Sequence, residues 1–294
     1  MAIKYSKALI VGSGSGLSAS LTHLFAREGF KVALAARNTD KLALLCSSTG
    51  ATAFSCDVSD PGQVSRLFQD VETKIGAPDV VVFNASARSR GPFISLDAAE
   101  VEAAIRTSAF GGFLVAQQAA KRMVPQGHGA ILFTGASASV KGYAQSAPFA
   151  MGKFALRGLA QSMARELAPL GIHVAHFIID GAIRNPGTTE PPEKPGSMLD
   201  PDAIAAQFAL LLTRAREQGA ARVDVGAHRQ VDGRLAEGIR VVVLGLARDV
   251  GVAVDETRED GLVPEIDHGR PRRRGQGRSD GLDAIAFDQE VLPR

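Results

Sequence analysis

A glycine-rich turn joins the first predicted strand of this chain to its first predicted helix. Strand-like residues near 7–12 run directly into the turn at residues 12–17, and a helical pattern follows near residues 16–28. Unpaired backbone amides and the positive end of the helix dipole meet at such a point, and glycine lets phosphate groups approach the backbone closely. The arrangement favours a dinucleotide-binding turn over a purely structural one. We assign to it Gly12, Ser13, Ser15, Gly16 and Leu17.

A cationic residue follows the second predicted strand, which lies near residues 31–36. An NAD-binding turn of this kind is followed, about 20 residues on, by an acidic side chain that accepts hydrogen bonds from the ribose 2′-hydroxyl. Arg37 stands there instead, and a guanidinium pairs with a 2′-phosphate that a carboxylate would repel. The cofactor indicated is therefore NADP(H) rather than NAD(H). The alternative is a surface arginine that binds no ligand.

Strand-like and helix-like segments alternate up to about residue 215, as in chains built from βαβ units. The strands are predicted near residues 7–12, 31–36, 51–56, 79–84, 129–135 and 171–178. The helices are predicted near residues 16–28, 39–47, 61–75, 97–124, 147–168 and 201–215. Residues 80–83 are apolar without alternation, which is typical of a strand covered by helices on both faces. We therefore expect an α/β fold with three layers around a doubly wound parallel sheet.

The basic residues change character towards the end of the chain. All nine lysines lie at or before Lys194, and the 14 basic residues from Arg214 to Arg294 are all arginine. A domain boundary and a GC-rich gene read out of frame would each produce this shift. We divide the chain into a nucleotide-binding domain at residues 1–215 and an atypical, poorly ordered tail at residues 216–294. Only Val223–Val225 resembles a further strand for the sheet.

The composition excludes several classes of protein. A chain of 294 residues with 45% hydrophobic and 22% charged residues is suited to a globular core. Its formal net charge of +2 is too small to direct it to nucleic acid or to a membrane surface. Cys46 and Cys56 are too few for a disulfide framework and lack metal-ligand spacing, so we expect no metal and a cytoplasmic location. We also expect no membrane span, because no apolar run approaches about 18 residues, and no signal peptide, because the first apolar run leads directly into the glycine turn.

Several landmarks together resemble the short-chain dehydrogenase/reductase family. The spacing of Gly12, Gly16 and Ser18 is similar to that family's Thr-Gly-x-x-x-Gly-x-Gly turn, with Val11 and Ser18 as departures. The other similar segments are Asp57–Val58, Asn84–Ser86, Gly111–Gln117, Ala160–Ala168 and Gly171–Val174. The resemblance covers roughly residues 5–215. It implies a single Rossmann domain that binds a small-molecule substrate at the carboxyl ends of the strands.

The resemblance also implies cofactor contacts beyond the glycine turn. Asp57 and Val58 match the positions that hold adenine, and Asn84 matches part of the family's Asn-Asn-Ala-Gly segment. Ile183 matches a position whose main chain holds the nicotinamide carboxamide, and Lys153 matches the lysine that holds the nicotinamide ribose.

The resemblance breaks at the catalytic positions. In the family a tyrosine phenol transfers a proton, the ribose-binding lysine follows four residues later, and a serine about 13 residues before the tyrosine orients the carbonyl. Here Phe149 occupies the tyrosine position and Ala136 the serine position, with Ser137 directly after it. Ser108 occupies the position of the family's relay asparagine. Since a phenyl ring has no proton to donate, we expect the usual carbonyl chemistry to be slower by about 10²- to 10⁴-fold.

Two side chains are candidates for the missing polar groups. Ser137 is shifted by one residue from the expected serine, a displacement that a loop can absorb. Tyr143 can supply a phenol if its loop folds inward, and the alternative is a solvated hydroxyl. His173 and His176 lie on a predicted buried strand, and we interpret them as packed or surface histidines rather than bases.

Three functions remain open on this sequence. The first is an NADP(H)-dependent oxidoreductase with a degenerate active site and an unknown carbonyl or alcohol substrate. The second is a non-catalytic NADP(H)-binding sensor or scaffold. The third, reduction of an activated C=C bond, is weakened because Ser146 stands where such family members often have tyrosine. The helices near residues 105–123 and 149–167 resemble the family's subunit-contact helices, which implies a homodimer or homotetramer.

Overall fold

The computed structural model describes residues 5–193, 195–218 and 239–244. Its strands are β1 (Lys7–Val11), β2 (Lys31–Ala36), β3 (Thr52–Ser55), β4 (Val80–Phe83), β5 (Gly129–Thr134), β6 (Ile172–Ile179), β7 (Ala182–Ile183), β8 (Met198–Leu199) and β9 (Ile239–Leu244). Its α-helices are α1 (Leu17–Arg27), α2 (Ala43–Thr49), α3 (Pro61–Ile75), α4 (Ala98–Ile105), α5 (Gly111–Met123), α6 (Ala147–Leu167) and α7 (Pro201–Gln218).

The main sheet has the strand order β3-β2-β1-β4-β5-β6-β9. The first six strands in this order pair in parallel. The chain runs outwards from β1 in both directions, so the order reverses between β1 and β4 and opens a crevice at the carboxyl ends of these two strands. The predicted doubly wound α/β fold is confirmed.

Alternate residues of each strand enter two separate apolar cores. In β1, Ile10 packs into the core beneath α1 and α7, whereas Leu9 packs into the core beneath α3, α5 and α6. All four residues of β4 are fully buried, as their continuous apolar pattern predicted. The sheet is therefore the middle of three layers, which holds the carboxyl ends of β1, β4 and β5 at one edge.

The helix predicted near residues 97–124 is interrupted by a π-helical turn at Arg106–Phe110. Ser108 lies in this turn and faces Gly152 of α6, where an added Cβ atom would lie 2.8 Å from the Ser108 Cβ. The wider turn inserts one extra residue into the helix, a feature that the apolar periodicity of the sequence does not signal. It brings the buried Ser108 hydroxyl to the carboxyl edge of the sheet.

β9 completes the sheet as an antiparallel strand beside β6, with Val174 opposite Leu244 and Ile179 opposite Ile239. β6 is therefore not the edge of the sheet. The strand-like segment Val223–Val225 lies outside the described residues, and so does most of the segment assigned to the tail. Within the described ranges, no helix combines the length and apolar character needed to cross a bilayer.

Candidate functional site

The glycine turn after β1 is fixed by its neighbours on both sides. Gly12 has a φ of +87°, and a Cβ atom there would collide with the backbone nitrogen of Ala85. The amides of Gly12 and Ser13 both donate to Ala35 O at 2.9 Å. Asn84 donates to Gly12 O through Nδ2 at 3.1 Å and to Val11 O through its backbone amide at 2.8 Å. The turn is thus held to the ends of β2 and β4.

Helix α1 begins at this turn without a side chain that caps it. Ser18 Oγ accepts from the Gly14 amide at 2.8 Å and donates to Gly14 O at 3.1 Å, which closes the turn internally. Among the described residues, the amides of Ser15, Gly16 and Leu17 have no acceptor, and the first turn of α1 carries no acidic residue. Free amides at a helix N-terminus fit the pyrophosphate of a dinucleotide.

The hydroxyl groups of the turn differ in availability. Ser13 is buried, and its hydroxyl donates to Ile10 O at 2.9 Å, so this side chain braces the turn. Ser15 is exposed beside a cleft of about 540 Å³ that Lys41 also lines. Of the residues in the turn, Ser15 therefore lies at the open surface, Gly16 is partly buried, and Ser13 and Leu17 are buried.

Arg37 stands exposed at the end of β2, close to the carboxyl end of β3. Its charge helps to lower the pKa of the Asp57 carboxyl, after the larger effect of hydrogen bonds from the Ser59 amide and hydroxyl at 2.9 and 2.7 Å. In the described part of the chain, no carboxylate lies within 4 Å of the guanidinium. Val58 is buried and packs against Gly111, where a Cβ atom would lie 2.9 Å from Val58 Cγ2. Arg37, Asp57 and Val58 thus follow the neighbouring strands β2 and β3 at the carboxyl edge of the sheet.

Lys153 lies at the opposite end of the crevice. It is 3% exposed, and its Nζ donates to Thr134 O at 2.7 Å, which connects α6 to the carboxyl end of β5. Burial, and secondarily the charge of Arg88, lowers the pKa of its amine to about 7. Near neutral pH this amine is therefore able to exchange a proton, which an ordinary lysine is not.

Phe149 lies one helical turn before Lys153 on α6. The ring is 7% exposed, and its centroid is 5.7 Å from Lys153 Nζ. On the same ring lies the guanidinium of Arg88, whose Cζ is 4.1 Å from the centroid. The structure therefore places two basic side chains against a phenyl ring, at the position where the resemblance predicted the family's phenol.

The two serines after β5 have different surroundings. Ser139 is fully buried, and its Oγ accepts from the Ala136 amide at 3.1 Å and lies 3.4 Å from His176 Nε2. Ser137 begins the same short 3₁₀ turn, Ser137–Ser139, and is only partly buried. Within the described residues its hydroxyl has no partner, so Ser137 is the hydroxyl that remains available to a ligand.

Tyr143, the alternative phenol, is about half exposed on the loop before α6. Lys141 Nζ lies 5.3 Å from its ring centroid. The backbone carbonyl of Tyr143 accepts a hydrogen bond from the Ser146 amide at 3.2 Å, which closes a turn just before α6. The ring therefore lies at the surface in this structure.

Ser108 is fully buried in the π-helical turn, and its Oγ accepts from the Ala87 amide at 3.1 Å. A hydroxyl in this position holds the loop that follows β4. It therefore positions Arg88, the next residue of that loop.

The buried histidines of β6 are packed residues, as predicted. His173 and His176 are almost fully buried, and burial lowers their pKa values to about 4 and about 3. For His176 the nearby charges of Lys153 and Arg157 lower the pKa further. Both imidazoles are consequently neutral at physiological pH.

The segment after β6 returns to the glycine turn. Ile183 lies in β7, which pairs in parallel with β8 so that Ile183 is opposite Leu199. Two residues later, the side chain of Asn185 occupies the space where a Cβ atom on Gly16 would stand. Ile183 therefore lies two residues before Asn185, which contacts the glycine turn.

Sequence reasoning missed Arg88 as a member of the site. The one available signal was its position, four residues after Asn84 in a loop at the carboxyl edge of the sheet. Side chains in such loops line the ligand crevice of open α/β sheets. The stacking on Phe149 depends on the tertiary structure.

Comparison with known proteins identifies the class to which this fold and site belong. Residues 6–191 match the family model described as short chain dehydrogenase. The chain belongs to the short-chain dehydrogenase/reductase family of oxidoreductases, which use NAD(P)(H) and act on small molecules.

Three relatives illustrate the likeness. "Short chain aldehyde dehydrogenase 1" of Euphorbia lathyris is 31% identical over 173 residues, which cover 57% of this chain and 60% of the relative. "3-oxoacyl-[acyl-carrier-protein] reductase MabA" of Mycobacterium avium is 29% identical over 175 residues, which cover 60% of this chain and 66% of the relative. The crystal structure of a short-chain dehydrogenase from Rhodopseudomonas palustris is 30% identical, with a TM-score of 0.62, and the match covers 73% of this chain and 95% of that one. The chain therefore spans less than two thirds of the length of either of the two curated relatives.

Proposed function

We propose that this chain binds NADP(H) and transfers hydride between it and a small carbonyl or alcohol substrate, with an active site that lacks the family's phenol. The observation that carries the proposal is the combination of three backbone amides without acceptors in the described residues, those of Ser15–Leu17, with the unpaired guanidinium of Arg37. The first group fits a pyrophosphate and the second fits a 2′-phosphate. The names of two relatives, an aldehyde dehydrogenase and a 3-oxoacyl reductase, support a carbonyl or alcohol substrate.

Each end of the crevice has a role in this proposal. Arg37 binds the 2′-phosphate. Asp57 and Val58 contact the adenine, and Asn84 stabilises the glycine turn. Ile183 meets the carboxamide through its main chain. Lys153 holds the nicotinamide ribose through its Nζ, which already has a fixed direction because it donates to Thr134 O.

At the reacting end, bound nicotinamide supplies or accepts a hydride at C4. Ser137 donates a hydrogen bond to the substrate oxygen, since its hydroxyl is available and that of Ser139 is not. Phe149, with the Arg88 guanidinium stacked on its ring, lies beside the substrate. Because Phe149 cannot deliver a proton, the substrate oxygen takes its proton from solvent or from the Lys153 amine.

A single-turnover experiment tests the proposal. The chain is mixed with NADPH deuterated at the transferable C4 position and with a panel of ketones and aldehydes, and the alcohol products are examined for deuterium. Deuterium in at least one product supports hydride transfer. Its absence throughout, with NADPH bound to the folded chain, would show that the site does not perform this chemistry.

A second candidate function is a sensor or scaffold that binds NADP(H) without turnover. The observation that favours it is the stacking of Arg88 on Phe149, which covers the phenol position with a positive charge. In the deuterium experiment this candidate predicts tight NADPH binding and no labelled product.

We further propose that the chain assembles as a homodimer or homotetramer through α5 and α6. Large apolar side chains are exposed along these helices and the π-helical turn before α5. They are Phe110, Phe113, Met151 and Phe154. Burial of such side chains against a second copy would remove an apolar surface from water.

A further inference from the structure

Arg88 is held at the reacting end of the crevice by its backbone and by its ring contact. The preceding amide, that of Ala87, donates to the buried Ser108 Oγ at 3.1 Å. Three residues further on, the Gly91 amide donates to Gln145 O at 3.3 Å and so connects this loop to the loop before α6. The guanidinium itself lies 4.1 Å from the Phe149 ring centroid. Its position is therefore fixed from both the backbone and the side chain.

The guanidinium of Arg88 has no anionic partner within the described residues. Glu100 of α4 does not pair with Arg88, and its Oε2 accepts from Ser89 Oγ at 2.8 Å. Although Arg88 is exposed overall, burial lowers the pKa of its guanidinium, and the charge of Arg90 lowers it further. Stacking uses the face of the guanidinium and leaves its N–H edges to bind a ligand.

A second cation increases the uncompensated charge. Lys153 Nζ lies 5.7 Å from the same ring, and Arg88 contributes to the lowered pKa of that amine. Two positive groups that disfavour each other's charged forms are stabilised together when an anion binds between or beside them.

We propose that Arg88 anchors an anion subsite beside Phe149, so that the substrate carries an oxyanion group, a carboxylate or a phosphate monoester, near its carbonyl or hydroxyl carbon. This inference rests on the proposed function, in which the phosphates of the dinucleotide are bound by the glycine turn and Arg37. Arg88 is therefore left for the substrate. A planar guanidinium binds a carboxylate or a phosphate through two parallel hydrogen bonds, and a neutral ketone offers it no such partner.

Binding measurements on the NADPH-loaded chain test the proposal without requiring turnover. The probes are 2-, 3- and 4-oxo acids of three to eight carbons, their methyl esters, and phosphate monoesters of hydroxyketones of the same lengths. We expect at least one acid or phosphate to bind about tenfold more tightly than its neutral counterpart. A carboxylate preference and a phosphate preference distinguish the two possible sources of the anion. If every neutral probe binds as tightly as its anion, the proposal is wrong.

Variants locate the effect. Arg88→Met removes the charge and should abolish the preference for the anion, whereas Arg88→Lys should retain only part of it, because an ammonium cannot form the paired hydrogen bonds. Arg90→Met makes the same charge change two residues away and should leave the preference within about twofold. If Arg90→Met and Arg88→Met lose the preference for the anion equally, the preference comes from the general positive charge of the loop. The proposed subsite is then wrong.

The same titrations separate this proposal from the proposed function. NADPH binding to Arg88→Met should equal that to the wild type, because Arg37 and the glycine turn are unchanged. A chain that binds the anionic probes through Arg88 but fails to bind NADPH would contradict the proposed function alone. A chain that binds NADPH but shows no preference for anions would contradict the subsite alone.

Discussion

The Nζ of Lys153 donates a 2.7 Å hydrogen bond to the carbonyl oxygen of Thr134 while it is almost completely buried. This bond ties the central helix α6 to the last residue of β5. It also places an amine with a pKa of about 7, instead of the usual 10.5, at the reacting end of the crevice.

The lowered pKa of Lys153 predicts a pH dependence of stability. Between pH 7 and about pH 10 the unfolded chain holds a proton on this amine that the folded chain has released, so raising the pH should stabilise the folded state. Denaturant unfolding of the wild type and of Lys153→Met should show a stability difference that moves in favour of the wild type across this range. Lys74→Met, which changes an exposed lysine, should follow the wild type. A difference between wild type and Lys153→Met that does not vary with pH would contradict the assigned pKa.

The glycine turn predicts a large loss of stability for one glycine substitution and a small change for another two residues later. Gly12→Ala forces a Cβ atom against the backbone of Ala85 at a φ of +87°, and it should cost about 1–3 kcal/mol of stability and abolish NADPH binding. At Gly14 an added Cβ meets no atom within 4 Å, so Gly14→Ala should change the stability by about 0.5 kcal/mol or less. Thermal unfolding and NADPH fluorescence check both variants. Equal effects at the two positions would show that the turn is not constrained in this way.

Restoring the phenol predicts a gain of activity. Phe149→Tyr places a hydroxyl near Lys153 Nζ, and it should raise carbonyl reduction on a broad substrate panel by about 10²- to 10⁴-fold. The double variant Phe149→Tyr with Ala136→Ser should gain at least as much, because it also restores the serine position. Phe149→Leu serves as the control that alters the packing without adding a proton donor. Unchanged rates in folded, NADPH-binding variants would indicate that the site was not built for carbonyl reduction.

The exposed apolar residues of α5 and α6 predict the assembly state. Light scattering should show the wild type as a dimer or tetramer and the double variant Phe113→Glu with Phe154→Glu as a monomer, since each buried carboxylate would lack a partner. Leu44 is 85% exposed on α2, away from these helices in the sequence, so Leu44→Glu should not alter the assembly. A monomeric wild type would contradict the proposed interface.

The fold was largely predictable because buried parallel strands carry a strong local signal. Residues 80–83 are continuously apolar, and they form a strand buried on both faces. The glycine turn was predictable for a similar reason, since its residues, strand and helix are adjacent in sequence. The π-helical turn at Arg106–Phe110 was not, because one additional residue in a helix leaves the apolar pattern almost unchanged.

The reacting end was predictable only in part. The family resemblance pointed to Lys153 and predicted that Phe149 stands at the position of the tyrosine. The sequence did not reveal that Arg88 covers that ring, because the two residues are 61 positions apart and meet only through the packing of α6 beside the loop after β4. The sequence suggested Ser137 by its position, but it did not reveal that the hydroxyl of Ser139, two residues later, is buried and has partners.

The central claim is that NADP(H) lies across the glycine turn with its 2′-phosphate on Arg37. Fluorescence titration of the folded chain with NADPH and NADH, repeated on Arg37→Ala and on Arg27→Ala as an exposed control, measures this most directly. The account predicts that NADPH binds the wild type and Arg27→Ala about 10- to 100-fold more tightly than NADH, and that Arg37→Ala loses this preference. Equal affinities of the wild type for the two cofactors, or no binding of either one, would contradict it.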